Sequence, residues 1–387
     1  MTRWPTVALL ILGGIVAAFQ IGKVPVALPL LRAEVGLPAL WASAILAAIS
    51  VLGALAGAVC GAFADRAGHR RTLLVGFATI AVASAGGAFA SDLVPLLLAR
   101  IAEGVGFLAV IVTTPSLILA ATAPAHRRLA LGLWSGYVPL GSAVVLFGAP
   151  AAIALDGWRA LWLICALAAA VMAVLVGAFV VTPARAVVAR SIAGELRAVL
   201  RAPYPVMLAI GFGGYTAAYL GLVGFLPTML VDGGATLAVA ATASACLVLF
   251  NGAGTVVGGI AVSRTPRWAL MFGGAVLMGL GGAILYVPGL PIELRYAAGC
   301  AAALTGGTIP AAVMASVPLY APAPRLLATT QGLVVQGSSI GQVVGPLLIG
   351  AFGATGGSLA GSVLMLAFAA VCAAGALILR RPEAAQR

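Results

Sequence analysis

The sequence predicts an all-α membrane protein of about twelve transmembrane helices, arranged as two pseudo-symmetric six-helix bundles. Three observations carry this expectation. First, 63% of the 387 residues are hydrophobic and only 8% are charged, with a mean hydropathy of +1.17, whereas a soluble domain carries about 25% charged residues. Second, the apolar residues fall into runs of about 20 to 27, each long enough to cross a hydrocarbon layer about 30 Å thick as a helix. Third, the arginines gather in alternate loops, and one long polar segment divides the runs six and six.

The first run, 5–31, follows Arg3 and is too long for the apolar core of a cleaved signal peptide, about 7–15 residues, so it reads as a span. Runs at 37–63, 71–91, 93–121, 128–153 and 159–181 complete the first half. The stretch TPARAVVARSIAGELRAVLRAP, 182–203, is the longest polar segment and is expected to link domains 1–181 and 204–387 along the membrane surface. The second half holds runs at 204–230, 237–262, 267–288, 294–320, 326–352 and 357–380, then a short tail. With the N-terminus inside, sixteen arginines fall in inside segments and three, Arg32, Arg159 and Arg295, outside. That positive-inside bias assigns both termini to the cytoplasm, and the chain to the cytoplasmic (inner) membrane. The net charge of +12 is thereby a topology signal, and no nucleic-acid partner is expected.

The halves resemble each other. GLWSGYVPLGSAVV from Gly132 and GLVVQGSSIGQVVG from Gly332 both open on Gly-Leu and place a glycine nine positions on, Gly141 and Gly341. APAHRR from Ala123 has a counterpart in APAPR from Ala321. Internal repetition of this kind is typical of secondary transporters. Glycine rows, Gly53, Gly57 and Gly61 on the second span and Gly337, Gly341 and Gly345 on the eleventh, predict close helix approach, since water expulsion cannot drive helix association in lipid. The five cysteines sit inside apolar runs without metal-type spacing and are expected to be reduced, buried thiols.

The loop GAFADRAGHRR, Gly61 to Arg71, gathers charge between the second and third runs. Arg66, Arg70 and Arg71 hold it inside, and Gly68 permits a tight turn. Asp65 is an acid where topology asks only for bases; it suits a latch that accepts hydrogen bonds from an unpaired helix start or pairs with an arginine. The run resembles the cytoplasmic signature of the major facilitator superfamily between spans two and three, and LLLARIAEGVG, with Arg100, Glu103 and Gly104, resembles that family's fourth-span arginine motif. The second-half counterpart, GGIAVSRTPRW, keeps Arg264 and Arg267 but has Ser263 in place of the acid. Gly148 and Pro150 on the fifth span are not the contiguous pair of the family's drug-antiporter motif. LGLWSGYVPLGSAV followed by DGWRALW looks most like the cyanate and nitroimidazole transporter branch.

The resemblance implies alternating access, with helices one, four, seven and ten lining a central cavity. At about 1.5 Å per helical residue, Gln20 and Lys23 lie about 22 and 27 Å from the inner end of span one, and Arg100 and Glu103 about 10 and 15 Å from the outer end of span four. Tyr215 and Tyr219 on span seven and Thr305 and Thr308 on span ten fall at similar depths. Intramembrane charge is costly and usually faces a cavity or a partner. Lys23 is the leading contact for an anion, against snorkelling to the outer interface. Arg100 and Glu103 either neutralise each other or divide the work, Glu103 taking a proton while Arg100 meets the anion. The tyrosines either pack or bind, and Gln336, Ser338 and Gln342 on span eleven either reach the cavity or bond between helices.

These residues point to a secondary active transporter, acting as a monomer on a small solute, with an anion favoured by two buried cations against one buried acid and the proton as coupling ion. A proton-coupled multidrug or metabolite exporter is the alternative. An enzyme is disfavoured because His69 and His126 lie in loops and acids do not cluster within spans. An ATP-driven pump is disfavoured because no phosphate-cradling glycine loop with a following lysine is present. No cofactor and no metal is expected.

Overall fold

The structure, a computed structural model, describes residues 2–35, 38–181, 192–323, 326–353 and 359–385. Among these, eleven helices are long and apolar enough to cross a membrane. One of them, Tyr137–Phe179, is 43 residues long and breaks at Asp156 and Gly157, where the glycine takes φ +58°. The break separates two full-length arms, 137–156 and 157–179, so the described residues hold twelve spans. We number them α1 (Trp4–Val35), α2 (Ala39–Ala48 continued by Val51–Ala67), α3 (His69–Ala88), α4 (Leu93–Ala121), α5 (137–156), α6 (157–179), α7 (Pro203–Asp232), α8 (Leu237–Ala261), α9 (Arg267–Leu285), α10 (Ile292–Gly306 continued by Thr308–Tyr320), α11 (Leu327–Leu348) and α12 (Ala360–Ala385). A short helix, Ile192–Leu200, precedes α7; residues 182–191 of the expected linker lie outside the described residues.

The helices form two six-helix bundles related by a repeated packing pattern. In the first half α1 packs on α5, α3 on α4, and α3 on α6; in the second half α7 packs on α11, α9 on α10, and α9 on α12. The repeat reaches individual residues. A methyl built on Gly141 of α5 would meet the Ile15 carbonyl of α1, and one built on Gly341 of α11 would meet the Gly213 carbonyl of α7. A methyl on Gly76 of α3 would lie 2.9 Å from the Gly106 carbonyl of α4, and one on Gly274 of α9 would lie 2.9 Å from that of Thr305 on α10. Glycine is needed at these places because two backbones approach closer than a side chain allows, giving the dispersion contacts that hold helices together in lipid. Residues such as Leu55, Val82, Leu155 and Val174 instead point outward and are 71–76% exposed, which suits a surface solvated by hydrocarbon chains.

The bundles meet through three helix pairs, α1 with α7, α2 with α11, and α5 with α8. The last two pairs exchange under the same two-fold relation. Of the glycine row on α2, Gly53 faces Ser339 and Gly57 faces Gln336 on α11, while a methyl on Gly332 would lie 3.0 Å from Ala58 Cα. The side chains of 61–66, and so any contact of Asp65 or Arg66, lie outside the described residues. Gly68 opens α3 with φ +88°, the tight turn expected there. Arg70 donates from Nη2 to the Gly177 carbonyl at 2.6 Å, placing a cation on the C-terminal carbonyls of α6, where it complements the helix dipole; Arg71 is exposed. All five cysteines are free; Cys165, Cys300 and Cys372 are buried, and Cys60 and Cys246 are half-buried rather than fully enclosed.

Candidate solute-binding site

Within the first bundle, α1, α3, α4 and α6 bring one charged cluster together. Lys23 lies 19 residues into α1, past the point where a flexible stem could reach an interface, and is 0% exposed. It does not snorkel. Its Nζ donates to Glu103 Oε1 at 2.6 Å and to Ser84 Oγ at 2.7 Å, and it stands 4.4 Å from the ring centre of Trp162. The other Glu103 oxygen, Oε2, accepts from Arg100 Nη1. Three-residue spacing on α4 places Arg100 and Glu103 on one helix face. Arg100 also donates from Nε to the Ile45 carbonyl of α2 at 3.4 Å, one turn before the break between the two segments of α2. Glu103 thus serves two cations at once, with side chains of all three 0–1% exposed.

Arg100 also lines a small cavity of ≈ 10 Å³, about the space of one water, enclosed between the bundles by Ile21, Pro25, Leu46, Ile49, Leu220, Gly224, Gln342 and Pro346. Both halves contribute walls to it. The cluster therefore reaches the inter-bundle interface through Arg100. Gln20, one turn from Lys23, is 0% exposed, and neither of its amide atoms has a hydrogen-bond partner. A buried amide left unsatisfied costs about 1–3 kcal/mol, so Gln20 is a group that a solute or water would complete.

The other expected residues are more widely spread. On α7 Tyr215 stacks between Phe212 and Tyr219, at ring separations of 5.6 and 6.0 Å. The Tyr215 hydroxyl lies within hydrogen-bonding distance of Asn251 on α8, whose amide also donates to the Ala303 carbonyl of α10 at 3.0 Å. The Tyr219 hydroxyl is buried without a partner. Thr305 and Thr308 bond carbonyls of their own helix, Thr305 to Ala301 and Thr308 to Thr305, both at 2.8 Å, and Thr308 abuts Gly274 on α9. Gln336 donates to the Ala54 carbonyl at 3.0 Å, and Gln342 accepts from Ser50 at 2.8 Å, so both bond across the α2–α11 seam; Gln342 also lines the cavity. Sequence reasoning missed Ser84, Trp162 and Asn251. Asn251 is the chain's single asparagine, a signal that composition could have flagged.

Two pseudo-symmetric six-helix bundles, with a buried charged cluster in the first that reaches the space between them, define the architecture of a secondary transporter. Residues 10–292 match the family model described as Major Facilitator Superfamily, and the chain belongs to that family. Among solved structures it is similar to a bacterial homologue of the human lysosomal transporter Spinster. The inward-facing, unoccupied form gives 18% identity and a TM-score of 0.78, over 100% of this chain and 98% of that one. The inward-facing, occupied form gives 18% identity and 0.79, over 99% and 97%. At this identity the likeness concerns the fold. Comparison with curated proteins gave no match.

Proposed function

We propose that the chain is a secondary active transporter that moves a small anionic solute across the cytoplasmic membrane by alternating access, acting as a monomer with both termini in the cytoplasm. The observation that carries the anion is the buried cluster itself: two cations, Lys23 and Arg100, share one carboxylate, Glu103, and Arg100 opens onto the space between the bundles. A site with one surplus positive charge and a low-dielectric surround favours a solute that supplies the missing negative charge. Gln20, with both amide atoms unpaired, adds hydrogen-bonding capacity. Tyr215, Tyr219 and Gln336, with Thr305 and Thr308, are the further solute contacts of this reading, reached from the second bundle as the bundles part. In the cycle the bundles rock about this centre, parting α2 from α11 and α5 from α8 at the arginine-rich face, then α1 from α7 at the other. The arginine asymmetry between the loops supports the orientation. The cyanate and nitroimidazole branch has no support beyond its two sequence strings.

Thermal shift of the detergent-purified protein tests this reading, because a binder of the folded state raises apparent stability by mass action. The panel is small carboxylates, cyanate, nitroaromatics and cationic dyes. An anion should stabilise the wild type, and Lys23→Ala and Arg100→Ala should each lose about 2–5 kcal/mol of binding free energy, tens to thousands of fold in affinity. Wild-type affinity in both variants overturns the anion site. The stacked face of Phe212, Tyr215 and Tyr219 favours a second reading, a proton-coupled exporter of lipophilic compounds; stabilisation by cationic dyes alone would select it.

A further inference from the structure

The chain has twenty arginines and one lysine, Lys23, and that lysine is fully buried in the charged cluster. A guanidinium does not lose its proton in a protein, whereas a buried ammonium can. The only deprotonatable cationic side chain of its kind is therefore placed where a change of charge would be felt most. We propose that Lys23 takes up and releases the proton that accompanies anion movement, with Glu103 a permanent counter-ion. This rests on the anion reading of the same site.

Charge balance carries the argument. With Lys23 protonated, the empty cluster holds two positive charges and one negative, all 0–1% exposed. Such a surplus is unfavourable in a membrane interior. Protonating Glu103 would double it, since both carboxylate oxygens already face a cation, and Arg100 has no neutral form to adopt. Loss of the Lys23 proton leaves a neutral Glu103–Arg100 pair. An anion beside Arg100 balances the protonated lysine and again gives a neutral site. The carrier thus crosses neutral in both directions, with one proton per anion, and each favours binding of the other. The N–H bond of the ammonium breaks and its proton passes to water at the open face. A neutral amine keeps two N–H groups, enough to hold both hydrogen bonds that Lys23 makes to Glu103 and Ser84.

The groups that face Lys23 fit this role. Glu103 and Arg100 come from α4 and the Cys165 thiol from α6; α3 brings the uncharged Ser84, and α6 the Trp162 ring. The helices packed beside α1 bring phenols turned to other partners, Tyr137 on α5 stacked on Trp134 and Tyr215 on α7 bonded to Asn251 and stacked on Tyr219, and α2 brings the Ile45 carbonyl to Arg100.

A single lysine gives a single side-chain signal, so the test needs no solute. Wild-type protein labelled with ¹³Cε-lysine in lipid nanodiscs is titrated by NMR from about pH 5 to 9, a range in which a solvated lysine stays charged. The signal, assigned by its loss in Lys23→Arg, is expected to move from the charged to the neutral position within that range. A signal that keeps its charged position throughout overturns the proposal. Failure here leaves the anion site standing, whereas wild-type anion affinity in Lys23→Ala and Arg100→Ala rejects the anion site whatever the lysine does.

Discussion

Replacing Glu103 with glutamine leaves Lys23 and Arg100 in one buried site without their shared counter-ion. Breaking a buried ion pair from one side costs about 3–5 kcal/mol, so Glu103→Gln should lower the thermal midpoint in detergent by several degrees. Adding Lys23→Met to that variant removes one of the stranded charges and should recover part of the loss. Additive losses in the two variants would show that the three groups are not coupled. The charged members of this cluster were legible in the sequence because a lysine, an arginine and a glutamate inside apolar runs have few reasons to be there. Ser84 and Trp162 were not, because a serine and a tryptophan are ordinary in a span and gain their role only from where α3 and α6 bring them. Thr305 and Thr308 show the converse: a threonine hydroxyl can bond the carbonyl four residues back in its own helix, and Thr305 does so at 2.8 Å, so polarity alone did not settle where it points.

At the scale of the element, the glycine rows decide how closely helices pack. Methyls on Gly337, Gly341 and Gly345 would each collide with a carbonyl of α7, at Ala209, Gly213 and Ala217. Overpacking of this kind costs about 1–3 kcal/mol, so Gly341→Ala should destabilise the protein and weaken the α7–α11 contact. Gly148→Ala is the control: nothing lies within 4 Å of its added methyl, and alanine is the better helix former by up to about 1 kcal/mol. Equal melting temperatures for the two variants would contradict the close-packing account. The rows were readable from their four-residue spacing, and the repeat at Gly141 and Gly341 from their common offset. The break between α5 and α6 was readable too, since Asp156 and Gly157 interrupt the apolar run. The breaks within α2 and α10 were not, because a lone serine after Ile49 and a threonine after Gly307 are ordinary inside a span and do not interrupt the apolar run.

For the whole molecule, ion pairs at one face separate what is fixed from what moves. Arg159 Nη1 and Trp158 Nε1 hold Glu34 at 2.5 and 2.6 Å, tying α6 to α1 within the first bundle. Arg32 on α1 and Asp232 on α7 join the two bundles, at 3.6 Å, with side chains 39% and 65% exposed. A solvated pair of that kind contributes about 0–1 kcal/mol and is screened by salt. Asp232→Asn should therefore shift the balance between conformations by a few fold without unfolding the protein, and high salt should mimic it in the wild type. Asp65→Asn is expected to act in the same manner at the opposite face, impairing transport more than folding. The bundles themselves were legible from hydropathy and arginine placement, but which helices meet across the interface was not, because the few polar groups of the seam, such as Ser50 and Gln342, do not name their partner helix in the sequence.

The most direct measurement of rocking bundles is a pair of inter-bundle distances, read by pulsed electron resonance from spin labels at Leu155 and Leu294 on one face and at Arg71 and Ser263 on the other, all exposed positions. The account predicts two populations in which one distance lengthens as the other shortens, with Asp232→Asn changing their proportions. Distances that stay fixed at both faces, or that lengthen together, would contradict alternating access about the Lys23, Arg100 and Glu103 cluster.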